Sequence, residues 1–170
     1  LTKGRLEKDT VALLERIGKA LAKRFKGERV DKVLTVEASG IAVACFTALA
    51  LGVPAVYAKK FQTGYIDPDV YAAEVHSFSM EKSYTIRVSR RYLEPDDRVL
   101  LVDDILASGQ AILGLLEIVS RAGAEAVGVG VAIEKATKDG GEVLRRMGLR
   151  VESLVKVERI EDGRIILGED

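Results

Sequence analysis

Asp103 and Asp104 stand at a sharp change of texture in the sequence. Before them run the apolar residues Val99-Leu100-Leu101-Val102; after them come Ile105 and Leu106, then the small residues Ala107-Ser108-Gly109 and on to Gln110 and Ala111. An uninterrupted apolar run of this length reads as a buried parallel strand, and open α/β sheets bind ligands where such strands end. The small residues lead into a helical pattern. Their backbone N–H groups, the Ser108 hydroxyl and the helix dipole would together cradle a phosphate. Carboxylates beside a phosphate cradle make chemical sense for a ligand that carries hydroxyls as well. A sugar diol donates to the carboxylates while the loop holds the phosphate. The competing reading is a solvated Asp pair before an ordinary capped helix, and the Ala107-Ser108-Gly109 sequence favours the site. Neither G-x-x-x-x-G-K-[ST] nor a G-x-G-x-x-G after the first strand occurs, which excludes the common nucleotide-binding loops.

These residues need a rigid scaffold, and the composition supplies one. Of 170 residues, 48% are apolar and 31% charged, enough for a core and a solvated surface in one domain spanning 1–170. Lys+Arg and Asp+Glu both count 26, so the chain as a whole is no polyanion binder and nucleic acid is not an expected partner. Apolar stretches stop short of the ~18 residues a membrane span needs, and no signal segment opens the chain. A cytoplasmic protein is expected. One cysteine, Cys45, and one histidine, His76, leave no disulfide and no structural zinc site. There is no Asn, Gln occurs only at positions 62 and 110, and Met only twice. That depletion of heat-labile side chains suggests a thermophile.

Hydrophobic spacing predicts a helix from Leu6 to Phe25, a strand over Lys32–Val36, and a helix over Ile41–Leu51, apolar nearly all round. Ala55–Ala58 reads as a second buried strand. The polar stretch from Lys59 to Glu74, with Gly64 and Asp67-Pro68-Asp69, reads as a long functional loop. Val75–Phe78 and Thr85–Val88 suggest an antiparallel pair. Beyond the turn at Glu94–Asp97 come a strand over Val99–Val102, a loop from Asp103 to Gln110, and a helix over Ala111–Ala122. A strand (Ala126–Ile133), a short helix (Gly141–Met147), a strand (Arg150–Val157) and a last strand ending at Leu167 follow. Alternating strands and helices of this kind make an α/β fold with an open, mostly parallel twisted sheet.

Val99 to Ala111 resembles the phosphoribosyl-diphosphate motif of the type I phosphoribosyltransferases. Thr35 to Ala42, Ala58-Lys59-Lys60, Val75 to Phe78 and Val131 to Lys135 resemble the xanthine branch of that family, in the same order. The resemblance implies transfer of a 5-phosphoribosyl group from its 1-diphosphate to a 6-oxopurine, xanthine first, with release of diphosphate. It assigns the ribose hydroxyls to Asp103 and Asp104, and the 5′-phosphate to Ala107, Ser108, Gly109, Gln110 and Ala111. Ser39 and Gly40 would face the diphosphate, Lys60 or Lys59 would neutralise it, and Lys135 would meet a purine oxo group. Mg²⁺ carried by the diphosphate, a homodimer, and a lid formed by the 59–74 loop are implied too. Tyr65 and Tyr71 read as exposed loop residues beside that lid, and His76 as a structural strand histidine. No catalytic base is assigned, because Ala107 stands where hypoxanthine-guanine relatives place an Asp. The xanthine branch also carries, ahead of the matched region, an Asn and a Leu on the base, and this chain has no Asn. Adenine, guanine or hypoxanthine transfer is the alternative within the same chemistry. A non-catalytic sensor of phosphoribosyl diphosphate is the alternative outside it.

Overall fold

The computed structural model describes residues 8–60, 69–77, 82–161 and 163–168. The first helix, α1 (Lys8–Arg24), follows the predicted periodicity at Leu14, Ile17 and Leu21 but not at Val11; Leu6 lies outside the described residues. Leu14, Leu21 and the following Phe25 are buried, while Val11 and Leu13 face water. Then come β1 (Lys32–Val36), α2 (Gly40–Leu51), β2 (Ala55–Ala58), β3 (Val70–Ser77) and β4 (Lys82–Ser89). The chain continues through β5 (Arg98–Leu106), α3 (Gln110–Ala122), β6 (Glu125–Lys135), α4 (Gly140–Arg146), β7 (Val151–Glu161) and β8 (Arg164–Leu167).

Six strands form one sheet in the order β2-β1-β5-β6-β7-β8, parallel throughout except for the β7–β8 pair. The expected fold class holds. In the central strand β5, residues 99–102 of alternate parity enter different cores, which is why that stretch is uninterrupted by polar residues. Val99 and Leu101 pack on the face covered by α3, α4 and the β3–β4 hairpin; Leu100 and Val102 pack on the face covered by α1 and α2. The hairpin is a separate antiparallel ladder. A bridge between Lys59 and Arg87 links it to the end of β2, and Arg121 of α3 donates to the Ala72 carbonyl at 2.6 Å.

Four expectations need correction. β2 is an edge strand rather than a buried one: it pairs only with β1, and Ala55 and Tyr57 are exposed. α2 is not apolar-buried all round, since Cys45 is exposed and Leu49 is 73% exposed. The stretch assigned to a loop up to Glu74 already belongs to β3 from Val70 onward, while positions 61–68 of that loop, Tyr65 among them, lie outside the described residues, as does Phe78. Tyr71 is therefore a core residue at 9% exposure, with the Arg90 guanidinium 4.6 Å from its ring centre. Finally, β5 continues through Asp103 and Asp104 to Leu106, because its register with β6 persists to the Leu106–Glu134 pair. His76 bears out the structural reading: its Nδ1 lies 2.7 Å from the hydroxyl of Ser83, its cross-strand partner in the hairpin.

Candidate active site

The order of the sheet decides where a ligand can sit. From β1 the chain moves outward to β2, then returns to place β5 on the other side of β1, so the connections at this point run to opposite sides. Such a switch point leaves a crevice at the carboxyl ends of the strands. Both halves of the candidate site open onto it: the loop after β1, which contains a cis peptide between Glu37 and Ala38, and the Asp pair near the end of β5.

The two loops interlock. The Ser39 hydroxyl donates to Asp104 at 3.0 Å, and the Glu37 carboxylate accepts the Lys60 backbone N–H at 2.5 Å. Gly40, the first residue of α2, is buried against the Asp pair. A Cβ there would lie 2.8 Å from the Asp103 carboxylate and would also strike the Thr35 hydroxyl. That hydroxyl is the single buried side-chain polar atom among the described residues with no hydrogen-bond partner. Burial, and then the neighbouring Asp104, push the Asp103 carboxyl up to about 8, a shift that the Lys60 ammonium partly opposes. The Tyr84 phenol from β4 is raised in turn, by its own burial and then by the charge of Asp103. The Lys60 ammonium lies 5.3 Å from the centre of the Tyr84 ring.

Beyond Leu106 the chain turns at Ala107-Ser108-Gly109 into α3. Gly109 has φ +77°, a left-handed conformation that glycine adopts without strain. The sequence suggests that glycine is needed there so that a phosphate can approach. In the structure a Cβ on Gly109 would instead point at α4, 3.3 Å from the Gly140 Cα. The first amides of α3 have no intrahelical acceptor and remain available to an anion.

Lys135 ends β6, one residue past the Leu106–Glu134 register pair, and is exposed. It thus reaches the same end of the sheet as the loop that leads into α3. The groove of about 710 Å³ beside it has Glu134, Thr137, Lys138, Ser153 and Lys156 among its walls, and Lys135 is not one of them. Lys59 is exposed, at the hairpin bridge. Among the described residues no three His, Cys, Asp or Glu side chains converge as a metal cage. Asp103 and Asp104 offer hard oxygen donors suited to Mg²⁺ only if the metal brings its other ligands with it.

Sequence reasoning missed Tyr84, Thr35 and Glu37 as site residues. The alternation of β4 places Tyr84 on a strand, but only the docking of the hairpin brings it over Asp103. Glu134 was missed as well. It is 3% exposed, and both its oxygens accept from the Arg145 guanidinium at 2.7 Å, with the Ser153 hydroxyl donating at 2.5 Å. The Arg145 hydrogen bonds, and secondarily Ser153, hold its carboxyl below the usual range despite burial.

Comparison with known proteins agrees with this geometry. The family model described as the phosphoribosyl transferase domain matches residues 8–155. The xanthine phosphoribosyltransferase of Moorella thermoacetica is 52% identical over 153 residues, covering 90% of this chain and 78% of its own. Xanthine phosphoribosyltransferase 1 of Clostridium perfringens is 46% identical over 156 residues, covering 91% and 82%. Among solved structures, the Giardia lamblia APRTase complexed with 9-deazaadenine superposes with a TM-score of 0.79 at 29% identity, over 89% of this chain and 83% of that one.

Proposed function

The chain belongs to the phosphoribosyl transferase domain family, and we propose that it is a purine-salvage pentosyltransferase that joins the 5-phosphoribosyl group of phosphoribosyl diphosphate to xanthine. One observation carries the reading: Asp103, Asp104 and the loop leading into α3 meet the Ser39–Gly40 loop in a single switch-point crevice. Asp103 and Asp104 would take the ribose hydroxyls, and the backbone of 107–111 the 5′-phosphate. Ser39, Gly40 and Lys60 would face the diphosphate. In the reaction the bond from the anomeric carbon to diphosphate oxygen breaks and a bond to a purine ring nitrogen forms. The nitrogen gives up its proton and diphosphate leaves. The sugar becomes cation-like in between, so catalysis is mostly positioning and charge stabilisation. Mg²⁺, held mainly by diphosphate and water with the Asp pair nearby, would supply charge neutralisation on the leaving group.

Lys135 is the proposed purine contact. An ammonium can only donate, which suits the oxo groups of xanthine and opposes the amino group of adenine. Among the described residues no helix is long and apolar enough to cross a membrane. A cytoplasmic homodimer belongs to the same proposal. The test is which nucleotide forms from phosphoribosyl diphosphate and Mg²⁺ when xanthine, guanine, hypoxanthine and adenine compete at equal concentration. Xanthine should win, and Lys135→Ala should cost roughly 1.5–3 kcal/mol of its transition-state binding. A preference for adenine would overturn the assignment of Lys135.

A further inference from the structure

Helix α4 meets the loop assigned to the phosphate by sequence at its first residue. The Gly140 N–H donates to the Ala107 carbonyl at 3.1 Å, at the start of the phosphate loop. The approach there is backbone on backbone: a Cβ on Gly140 would lie 2.5 Å from the Gly109 nitrogen and 2.5 Å from the Ser108 carbonyl carbon. Neither of those atoms can swing aside as a side chain could. Gly109 meets the same contact from the other side, its missing Cβ facing Gly140. The next residue, Gly141, is equally restricted, because a Cβ would come within 2.7 Å of the Glu134 carboxyl carbon. Glu134 cannot retreat, since Arg145 holds both its oxygens and Ser153 donates to one of them. Arg145 lies on α4 itself, and it also donates to the Val151 carbonyl of β7 at 3.4 Å. One end of the helix is thus pinned to the ends of β6 and β7, and the other end is pressed into the phosphate loop.

We infer that α4 is a buttress that fixes the shape of the phosphate loop, with Gly140 and Arg145 as positioning residues for the transfer reaction. The inference rests on the reading of residues 107–111 as phosphate-binding. It also links the two halves of the proposed site. Glu134, which anchors α4, is the neighbour in sequence of Lys135, the proposed purine contact. Loop and purine end therefore share one support.

The test compares Gly140→Ala, Arg145→Gln and, as a control on the exposed side of α4, Arg146→Gln. Two readouts are taken on the full chain. The first needs no ligand: backbone amide hydrogen exchange at 108–111, which should speed up in Gly140→Ala and Arg145→Gln and stay unchanged in Arg146→Gln. The second is kinetic: KM for phosphoribosyl diphosphate should rise roughly ten- to a hundredfold in both variants, with KM for the base held near the wild-type value in Gly140→Ala, which leaves the Arg145–Glu134 bonds in place. A general loss of stability would not produce that split. If Gly140→Ala fails to fold, Arg145→Gln decides alone. Folded variants with wild-type exchange at 108–111 and wild-type KM overturn the buttress. A wild-type protein that releases no diphosphate with any base overturns the function instead, and the exchange result still decides whether α4 shapes the loop.

Discussion

The Asp103 carboxyl, raised by burial from the ordinary carboxylate range to about 8, binds a proton far more tightly in the folded chain than in the unfolded one. The sign of its contribution follows. Its stabilising effect is complete below the unfolded value and is lost as pH climbs toward 8, because the folded state must then either keep the proton or bury a charge. Asp103→Asn, which cannot ionise, should therefore melt at a higher temperature than the wild type at pH 8, with the difference vanishing toward pH 4. Thermal unfolding across that range measures it, and identical pH profiles would remove the argument. The same substitution, and Asp104→Ala, should strongly depress turnover while leaving the fold intact. Steady-state kinetics with saturating base would expose an error if either variant kept wild-type values. The pair itself was legible in the sequence because its surroundings are local: apolar strand before, small residues after. Its protonation was not, since the groups that bury Asp103 include Gly40, contributed by a distant segment.

Strands and helices came through the sequence with their order intact, and the misreadings share a cause. Periodicity reports which side of an element is apolar and says nothing about what lies beside it. Ala55–Ala58 has the composition of a central strand, yet β2 has a neighbour on one side only. Conversely, Val70–Glu74 looked like loop because it follows directly on the polar turn residues Asp67-Pro68-Asp69, and no break in the sequence marks where the strand begins. Ile86 shows what holds that hairpin down: it is fully buried in the cluster that includes Val75, Leu115 and Ile118. Ile86→Ala should cost about 2–5 kcal/mol, the range for a buried aliphatic cut back to a methyl. Native-state hydrogen exchange should place the first effect in β3 and β4. Urea unfolding with a loss below about 1 kcal/mol would mean that the hairpin is far less firmly docked than its burial implies.

At the scale of the molecule, the depletion of Asn, Gln, Cys and Met in the sequence is matched by a chain of ion pairs. Arg24 meets Glu152, Glu152 meets Arg150, Arg150 meets Glu28, Glu28 meets Arg98, and Arg98 meets Glu125. Each such pair alone is worth about 0–1 kcal/mol at room temperature, but networks gain weight as heat weakens the hydration of charge. A melting temperature above the ~45–65 °C of mesophile domains is expected. Arg98→Gln, at the junction of two pairs, should shorten the half-life at high temperature more than it lowers stability at 25 °C. A midpoint inside the mesophile range, or an equal loss at both temperatures, would count against it. No periodicity announces such a network, because its members are scattered between positions 24 and 152 and meet only where the sheet gathers the amino ends of its strands.

That location has a consequence for how the protein can change. Arg98 opens β5 and Asp103 stands five residues further along the same strand, about 17 Å away at ~3.3 Å per residue. Arg98 and its ion pairs therefore occupy the opposite end of the sheet from the groups proposed to meet substrate. Arg98 and Asp103, so far apart, contribute to free energy independently, whereas Glu152 at the other end of the network acts on Arg145 of α4. A lineage moving between climates can exchange Arg98 and Glu125 without retesting Asp103, but cannot exchange Glu152 without retesting Arg145.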